Sequence, residues 1–317
     1  MLLISLLGAT SSGKSDLAVR LAHDLQAKNL RTWIIGCDSR QIYKYLNVGT
    51  GKVEGSWQQI PISKRCFYPS GKVFFYQEIP HFLIDYKDPY QDFEYSLVQY
   101  LTDFNKLFKN TKILPKIVIL TGGTGLYAKA ILEEYQLFKI KPDFEELALK
   151  FKQNIEKLNL YQLQENYLKL ELPKLNSSDF ENPRRIINHI YKNQVKTQKW
   201  GVLVEYPSFI KKFNFAIKTE TTDLKPKISQ RLEFRLENGL IPEILKHKNL
   251  GQKKLLSLGL EYRLGFFYIN GMLTKSEFLQ KLKIENFKYA KRQLTWLKKQ
   301  NPTWISHKID ILTNINK

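Results

Sequence analysis

Leu2-Leu3-Ile4-Ser5-Leu6-Leu7-Gly8-Ala9-Thr10-Ser11-Ser12-Gly13-Lys14-Ser15 decides the reading of this chain. Its first half is a short apolar run that fits a buried strand, and Gly8 to Ser15 satisfies the pattern G-x-x-x-x-G-K-[ST]. From Lys14 to about Lys28 the apolar residues Leu17, Leu21, Ala22 and Leu25 fall on one helical face. A strand, a glycine loop and an amphipathic helix in that order make an anion cradle. Glycines let the backbone turn its N–H groups inward, the helix amino terminus adds positive potential, Lys14 reaches the phosphates, and Ser15 can hold a magnesium ion. The pattern leaves open whether those phosphates belong to a nucleotide or to another diphosphate.

Outward from this loop, Trp33 to Gly36 and Ile117 to Leu120 read as further parallel core strands. The fold class is therefore α/β, a P-loop NTPase-like parallel sheet flanked by helices over residues 1–138. Between Gly51 and Ile79 the pattern loosens. Cys66 to Gln77, with Pro69-Ser70-Gly71 in the middle, predicts a β-hairpin within an excursion over about 52–79. Pro142 to Lys199 reads as almost entirely helical, with Leu147, Phe151, Ile155 and Leu158 at helical spacing, and defines a helical insertion over 139–200. Residues 201–317 return to the core through a strand at Phe213 to Lys218 and end in a basic helical part. Its helices are expected at Ile228 to Leu245, Lys253 to Leu258 and Thr274 to Lys299, the first interrupted by Asn238-Gly239.

Composition narrows the function classes. Hydrophobic residues make up 43% and charged residues 25% of the 317, ordinary globular usage that argues against a disordered or fibrous chain. Lys and Arg outnumber Asp and Glu by 50 to 30, a formal charge of +20 that draws the protein towards polyanions, nucleic acid first among them. A lysine-rich solvated surface explains the same surplus, so charge alone only nominates a partner. Cys37 and Cys66 cannot build a disulfide framework or a zinc site, and His23, His81, His189, His247 and His307 are scattered, which fits a reducing cytoplasm. The run Leu2 to Leu7 is too short to span a membrane and lacks a preceding basic stretch, and no later apolar run reaches membrane-spanning length.

Asp38-Ser39-Arg40-Gln41-Ile42-Tyr43 directly follows the second strand, which sets the Asp38 carboxylate at the carboxyl edge of the sheet beside the phosphate loop. An Asp there serves as a helix cap or as a catalyst, and both readings stand. An ATPase of this fold places a magnesium-holding Asp at the end of a core strand, whereas Ile117 to Leu120 runs into Thr121-Gly122-Gly123. Asp85, after Phe82-Leu83-Ile84, is either a substitute or a turn residue.

Six segments agree in order: Gly8 to Ser15, Asp38 to Tyr43, Val48-Gly49-Thr50-Gly51-Lys52, Pro80 to Asp85, Gly122-Gly123-Thr124-Gly125-Leu126-Tyr127, and Tyr289-Ala290-Lys291-Arg292-Gln293-Leu294-Thr295-Trp296. Together they resemble the tRNA dimethylallyltransferases, also called tRNA isopentenyltransferases, of the bacterial type. The resemblance implies transfer of a dimethylallyl group from dimethylallyl diphosphate to N6 of the adenosine 3′-adjacent to the anticodon of tRNA, with Mg2+. It also accounts for a phosphate loop without the strand-end Asp, because the loop then holds a prenyl diphosphate.

Carried over by position, Asp38 is the base that takes the N6 proton, and Ser39, Arg40 and Gln41 hold the target adenine. Thr10 meets the breaking C–O bond, and Gly8, Ala9, Ser11, Ser12, Gly13, Lys14 and Ser15 hold the diphosphate. Thr124 meets the tRNA or caps the helix beginning near Leu126. Arg184 and Arg185, with Lys291, Arg292 and Gln293, grip tRNA phosphates. The chain departs from the family near Thr221 and Lys227, where two arginines usually help bind the diphosphate. Lys227 keeps charge but loses bidentate geometry, and Arg231 and Arg235 on the following turns are the compensating candidates. Asn188, Leu258-Gly259-Leu260-Glu261-Tyr262 and the absence of an arginine around Glu146 are further departures that bear on tRNA contacts. Competing readings are a small-molecule P-loop kinase with Asp38 as base, an adenylate isopentenyltransferase, and a protein that only tethers RNA. A monomer is expected.

Overall fold

A computed structural model describes residues 1–60, 70–91, 95–109, 113–202, 204–306 and 308–315. Its strands are β1 (Leu2–Leu7), β2 (Thr32–Gly36), β3 (Ser56–Gln59), β4 (Lys72–Tyr76), β5 (Ile79–Phe82), β6 (Ile117–Thr121), β7 (Phe138–Ile140), β8 (Lys199–Val202), β9 (Lys211–Ile217) and β10 (Thr303–Ile305). The helices are α1 (Lys14–Ala27), α2 (Leu97–Lys109), α3 (Gly125–Leu132), α4 (Pro142–Ile155), α5 (Leu160–Lys169), α6 (Ser177–Phe180), α7 (Pro183–Gln194), α8 (Thr221–Glu237), α9 (Leu240–Lys246), α10 (Gln252–Ser257), α11 (Leu260–Ile269), α12 (Lys275–Lys298) and α13 (Lys308–Ile315). The chain divides into two compact units, Met1–Tyr135 with Tyr206–Lys317, and Gln136–Glu205.

In the first unit, eight strands form one sheet in the order β10-β9-β1-β6-β2-β5-β4-β3. The pairs from β10 through to β5 are parallel, as expected of short apolar runs buried on both faces, and β4 and β3 add antiparallel. Ile4 sits opposite Ile119 on one side and Phe213 on the other, and Ile34 opposite Ile119, so the register lines up one apolar layer across the sheet. Leu17, Ala18, Leu21, Ala22 and Leu25 of α1 close that layer. Because β6 enters between β1 and β2, the connections leaving β1 and β6 diverge, and their carboxyl ends open a crevice at this switch point.

The α/β sheet flanked by helices is the expected fold class, with local corrections. The Ile228 to Leu245 helix is two helices, α8 and α9, broken where Gly239 adopts φ 94. Ahead of Asp85 the strand is Ile79–Phe82, and Leu83 and Asp85 that follow have positive φ. The arms of the excursion are β3 and β4. A tight turn at Gln77-Glu78, both at positive φ, joins β4 to β5, whereas residues 66–69 of the expected Cys66 to Gln77 hairpin lie outside the described residues.

The second unit has its own small core of Ile155, Leu163, Tyr167, Ile186 and Ile190 from α4, α5 and α7. Local chemistry sets its helix starts. Asn159 and Gln162 form a reciprocal capping box on α5, and Asn182 caps α7, which begins at Pro183. An antiparallel β7–β8 ladder, absent from the all-helical expectation, closes the unit. Among the described residues, no helix is long and apolar enough to cross a membrane.

Candidate active site

After β1 the chain must turn sharply into α1, and it does so through Ser11 at φ 61 and Gly13 at φ 78. A Cβ at Gly8 would overlap the Ser12 hydroxyl as it stands, so glycine there leaves that hydroxyl its place in the loop. Gly13 precedes α1, whose first N–H groups have no intrahelical acceptors, and Lys14 Nζ curls back to donate to the Ala9 carbonyl at 3.3 Å. The Ser11 and Ser12 hydroxyl oxygens are buried without a hydrogen-bond partner. Buried hydroxyls left in this state in a loop that carries Lys14 suit a ligand rich in acceptor oxygens.

Asp38 leaves the end of β2 beside this loop. Its Oδ1 accepts the N–H groups of Arg40 at 2.8 Å and Gln41 at 3.3 Å, and its Oδ2 accepts that of Gly123 at 3.2 Å. Residues 39–42 form turns, so Asp38 closes an Asx-type turn and caps no helix. At Gly122 any Cβ would overlap the Cys37 backbone, and this close approach of β6 to β2 is what delivers the Gly123 N–H to the carboxylate. Thr124 occupies the N-cap position of α3 but makes no side-chain cap. Its hydroxyl accepts from the Ser39 N–H at 3.0 Å and donates to the Ser39 hydroxyl at 3.2 Å, tying the Asp38 turn to the end of β6.

Two further elements complete the cavity. On α12, Asn286, Tyr289 and Gln293 recur at helical spacing on the lining face. Gln293 accepts the Thr10 N–H at 2.8 Å and donates to the Gly123 carbonyl at 3.0 Å, while the Tyr289 hydroxyl donates to the same carbonyl at 3.3 Å. On α8, Arg231 Nη1 donates to the Thr10 hydroxyl, and Arg235, one turn on, forms a buried ion pair with Glu261 at 2.7 Å. The result is a cavity of about 370 Å³ whose walls include Thr10, Lys14, Ser15, Asp38, Ser39, Arg40, Gln41, Thr124, Arg231, Arg235 and Gln293.

Its electrostatics are those of an anion site. Lys14 is lowered to about 8, first by burial and then by Arg231, with Asp38 opposing. Arg231 is lowered to about 10 by burial and by Arg235, with Glu261 and Asp38 opposing. Lys14, Arg40, Arg231, Arg235 and Arg263 thus share a cavity with the Asp38 and Glu261 carboxylates, and burial first, then the mutual repulsion of neighbouring cations, accounts for the depressed values. Tyr289 is raised to about 12 by burial and by Asp38, and burial with Asp38 also pushes the Cys37 thiol far up, which leaves that thiol protonated and inert.

Not every residue singled out in the sequence reaches this cavity. Lys227 is exposed one turn before Arg231 and is not part of the lining. Lys291 and Arg292 are exposed on α12, against the Phe287 and Tyr289 rings respectively. Arg184 and Arg185 are exposed at the start of α7 in the other unit, where Arg185 lies 3.7 Å from Asp179. Asp85 is a structural residue. It accepts from Lys52 Nζ at 2.6 Å and from Trp57 Nε1 at 2.8 Å. Among the described residues no group of three or more His, Cys, Asp or Glu side chains could hold a metal ion. Tyr289 and Glu261 line the cavity from the segments Tyr289 to Trp296 and Leu258 to Tyr262, whose sequence gives neither residue a part in the site.

Residues 41–300 match the family described as IPP transferase. The chain is 33% identical over 299 residues to tRNA dimethylallyltransferase 1 of Azobacteroides pseudotrichonymphae, covering 93% of this chain and 88% of that protein. It is 31% identical over 314 residues to tRNA dimethylallyltransferase 1 of Syntrophus aciditrophicus, covering 98% and 92%. The crystal structure of a tRNA Δ(2)-isopentenylpyrophosphate transferase from Staphylococcus epidermidis superposes with a TM-score of 0.62 at 26% identity, over 99% of this chain and 98% of that one. With a phosphate loop, a carboxylate turn and an arginine pair around one cavity, and with the family match running over most of its length, the chain belongs to the IPP transferase family.

Proposed function

We propose that this prenyltransferase moves the dimethylallyl group of dimethylallyl diphosphate onto N6 of the adenosine 3′-adjacent to the anticodon in tRNA and releases diphosphate. The observation that carries the reading is the cavity itself, in which Lys14, Arg231 and Arg235 surround the phosphate loop while Asp38 lines the same space. An exocyclic amine is a weak nucleophile and diphosphate leaves with its charge, so both kinds of group are needed at once.

In the reaction the N6 lone pair forms a bond to C1 of the prenyl group as the C1–O bond breaks, and that electron pair departs on the diphosphate. Asp38 takes the N6 proton, its carboxylate held by three backbone N–H groups. Thr10 accepts from Arg231 through its hydroxyl oxygen, which leaves its own proton free to donate to the bridging oxygen, and Gln293 fixes its backbone. Lys14, Ser15 and Arg231 receive the developing charge, together with those N–H groups of the Gly8 to Gly13 loop that are not already given to Gln293 or the Ala9 carbonyl. Ser39, Arg40, Gln41 and Thr124 border the place of the adenine. The exposed basic residues Arg184, Arg185, Lys291 and Arg292 supply salt-dependent phosphate contacts, the first two from the helical insertion. A monomer acting in the cytoplasm completes the proposal.

Among the described residues no carboxylate cage stands ready for a metal ion, and Mg2+ accompanying the diphosphate would be held from the protein side by the Ser15 hydroxyl. When bound it adds positive charge to the leaving group.

The test incubates purified protein with dimethylallyl diphosphate, magnesium and unmodified tRNA, digests the RNA and weighs the nucleosides. The expected product is an adenosine heavier by one C5H8 unit, lost in Asp38→Ala. ATP turnover without tRNA, with no prenylated nucleoside, would overturn the reading in favour of a kinase.

A further inference from the structure

The loop 47–51 connects the two halves of the cavity, since Gly49, Thr50 and Gly51 line it. Gln41 Nε2 donates to the carbonyls of Thr50 at 3.2 Å and Gly51 at 3.0 Å, which joins the loop to the Asp38 turn. On its other side Gly51, at φ 62, lies so close to Arg235 and Arg231 that any Cβ would overlap both guanidinium groups. A shift of this loop therefore moves the Asp38 side and the diphosphate side relative to one another.

One carboxylate gathers the first three amides of the loop. Glu243, on α9, accepts the backbone N–H groups of Asn47 at 2.8 Å, Val48 at 2.9 Å and Gly49 at 2.9 Å, and also the Tyr262 hydroxyl at 2.6 Å. Three successive amides turned onto one carboxylate form an anion nest, filled here from within the protein. Charge-assisted bonds of this kind are short and directional, and four of them fix both oxygens of Glu243. At the far end of the loop, buried Lys52 is anchored separately to Asp85, the Asn47 side chain and the Tyr43 carbonyl. Tyr262 packs so closely on Gly49 that a Cβ there would meet its ring at 2.6 Å.

We infer that Glu243 is a positioning residue for prenyl transfer: through the 47–51 backbone it sets the distance between the Asp38 turn and the arginine pair on α8. The inference rests on the transfer reaction proposed above. Displacement of reacting groups by about 1 Å costs on the order of a hundredfold in rate, so a clamp remote from the chemistry controls kcat. Glu243→Gln keeps the shape but removes the charge and replaces one acceptor oxygen with a donor that faces amides.

The experiment compares wild type, Glu243→Gln, Glu243→Asp and Glu237→Gln, the last removing a carboxylate exposed at the end of α8. Each is assayed for kcat and both KM values with dimethylallyl diphosphate and tRNA, and for amide hydrogen exchange of 47–49. Expected for Glu243→Gln are a fall in kcat of about tenfold to a hundredfold, a smaller change in either KM, and faster exchange at the three amides, with Glu237→Gln matching wild type. Glu243→Asp should recover part of kcat together with part of the protection. Faster exchange with kcat unchanged would overturn the inference, as would a loss of kcat that follows thermal stability and is absent well below the melting temperature. If wild type itself makes no prenylated adenosine, the transfer reading fails first; an active wild type with an equally active Glu243→Gln defeats the clamp alone.

Discussion

Lys14 titrates inside the measurable range, and this makes prenyl diphosphate binding pH-dependent in a defined direction. Burial and the neighbouring Arg231 lower it from 10.5 to about 8 in the ligand-free site. The bound diphosphate needs the ammonium form, so above pH 8 binding must include uptake of a proton. Affinity is then nearly flat below pH 8 and weakens about tenfold per pH unit above it, roughly 30-fold between pH 7 and pH 9.5. Arg231, held at about 10, stays largely protonated across that window and does not produce the slope. The assay is calorimetry with dimethylallyl diphosphate at fixed magnesium and without RNA, repeated at pH 9 in buffers of different ionisation heat, where uptake should approach one proton. The folding sign is opposite. An unfolded Lys14 holds its proton up to 10.5 and the folded one only to about 8, so its destabilising contribution is complete below pH 8 and is relieved as pH rises towards 10.5. A dissociation constant unchanged from pH 7 to 9.5, or a slope that survives in Lys14→Met, refutes the reasoning.

Gly51→Ala places a Cβ against both guanidinium groups at a backbone φ of 62, and we expect KM for dimethylallyl diphosphate to rise at least tenfold in steady-state assays. Glu261→Gln removes the buried partner of Arg235, and chemical denaturation should show a loss of about 3–5 kcal/mol, the usual cost of leaving one charge of a buried pair uncompensated. Leu163→Ala opens a cavity in the small core of Gln136–Glu205, and differential scanning calorimetry should show that unit losing about 2–5 kcal/mol while diphosphate affinity stays at the wild-type value.

The parts of the molecule visible in the sequence are those encoded over short distances. Gly8 to Ser15 announces itself because glycine spacing, the preceding apolar strand and the following amphipathic helix are all local, and β1 and α1 fall where they predict. The break between α8 and α9 is legible in Asn238-Gly239 for the same reason, although the apolar period runs across it. The β7–β8 ladder is hidden because its strands are 3 and 4 residues long and lie some sixty residues apart, so neither shows a period of its own. In the cavity, Arg231 could be nominated from the helical turn after Lys227, but that Lys227 itself points to solvent depends on the rotation of α8, which packing decides. Thr124 reads as a cap from its neighbours alone, and only the approach of the Asp38 turn gives its hydroxyl a different partner.

The end of β6 explains how a phosphate loop can serve group transfer to a nucleophile held by the protein. A phosphate-hydrolysing relative of this fold holds magnesium with an Asp at such a strand end, next to the phosphates. Here the strand ends in Thr121, and the two glycines that follow turn backbone towards the site instead. Gly122 lets β6 approach Cys37, and Gly123 offers its N–H to Asp38 and its carbonyl to Gln293 and Tyr289. On the transfer reaction proposed above, the carboxylate in the crevice then serves the incoming amine and not a phosphate-bound metal. Gly123→Ala tests this directly. A Cβ there would lie 2.7 Å from Asp38 Oδ2, and the carboxylate does not give way cheaply, because the Arg40 and Gln41 N–H groups hold its Oδ1 and the Gly123 N–H its Oδ2. We expect kcat for prenyl transfer to fall about tenfold to a hundredfold with the affinity for dimethylallyl diphosphate unchanged, because the phosphate loop is untouched. A weakened diphosphate affinity with an unaltered rate at saturation would place the Gly123 turn on the leaving-group side and undo the assignment of Asp38 to the incoming amine.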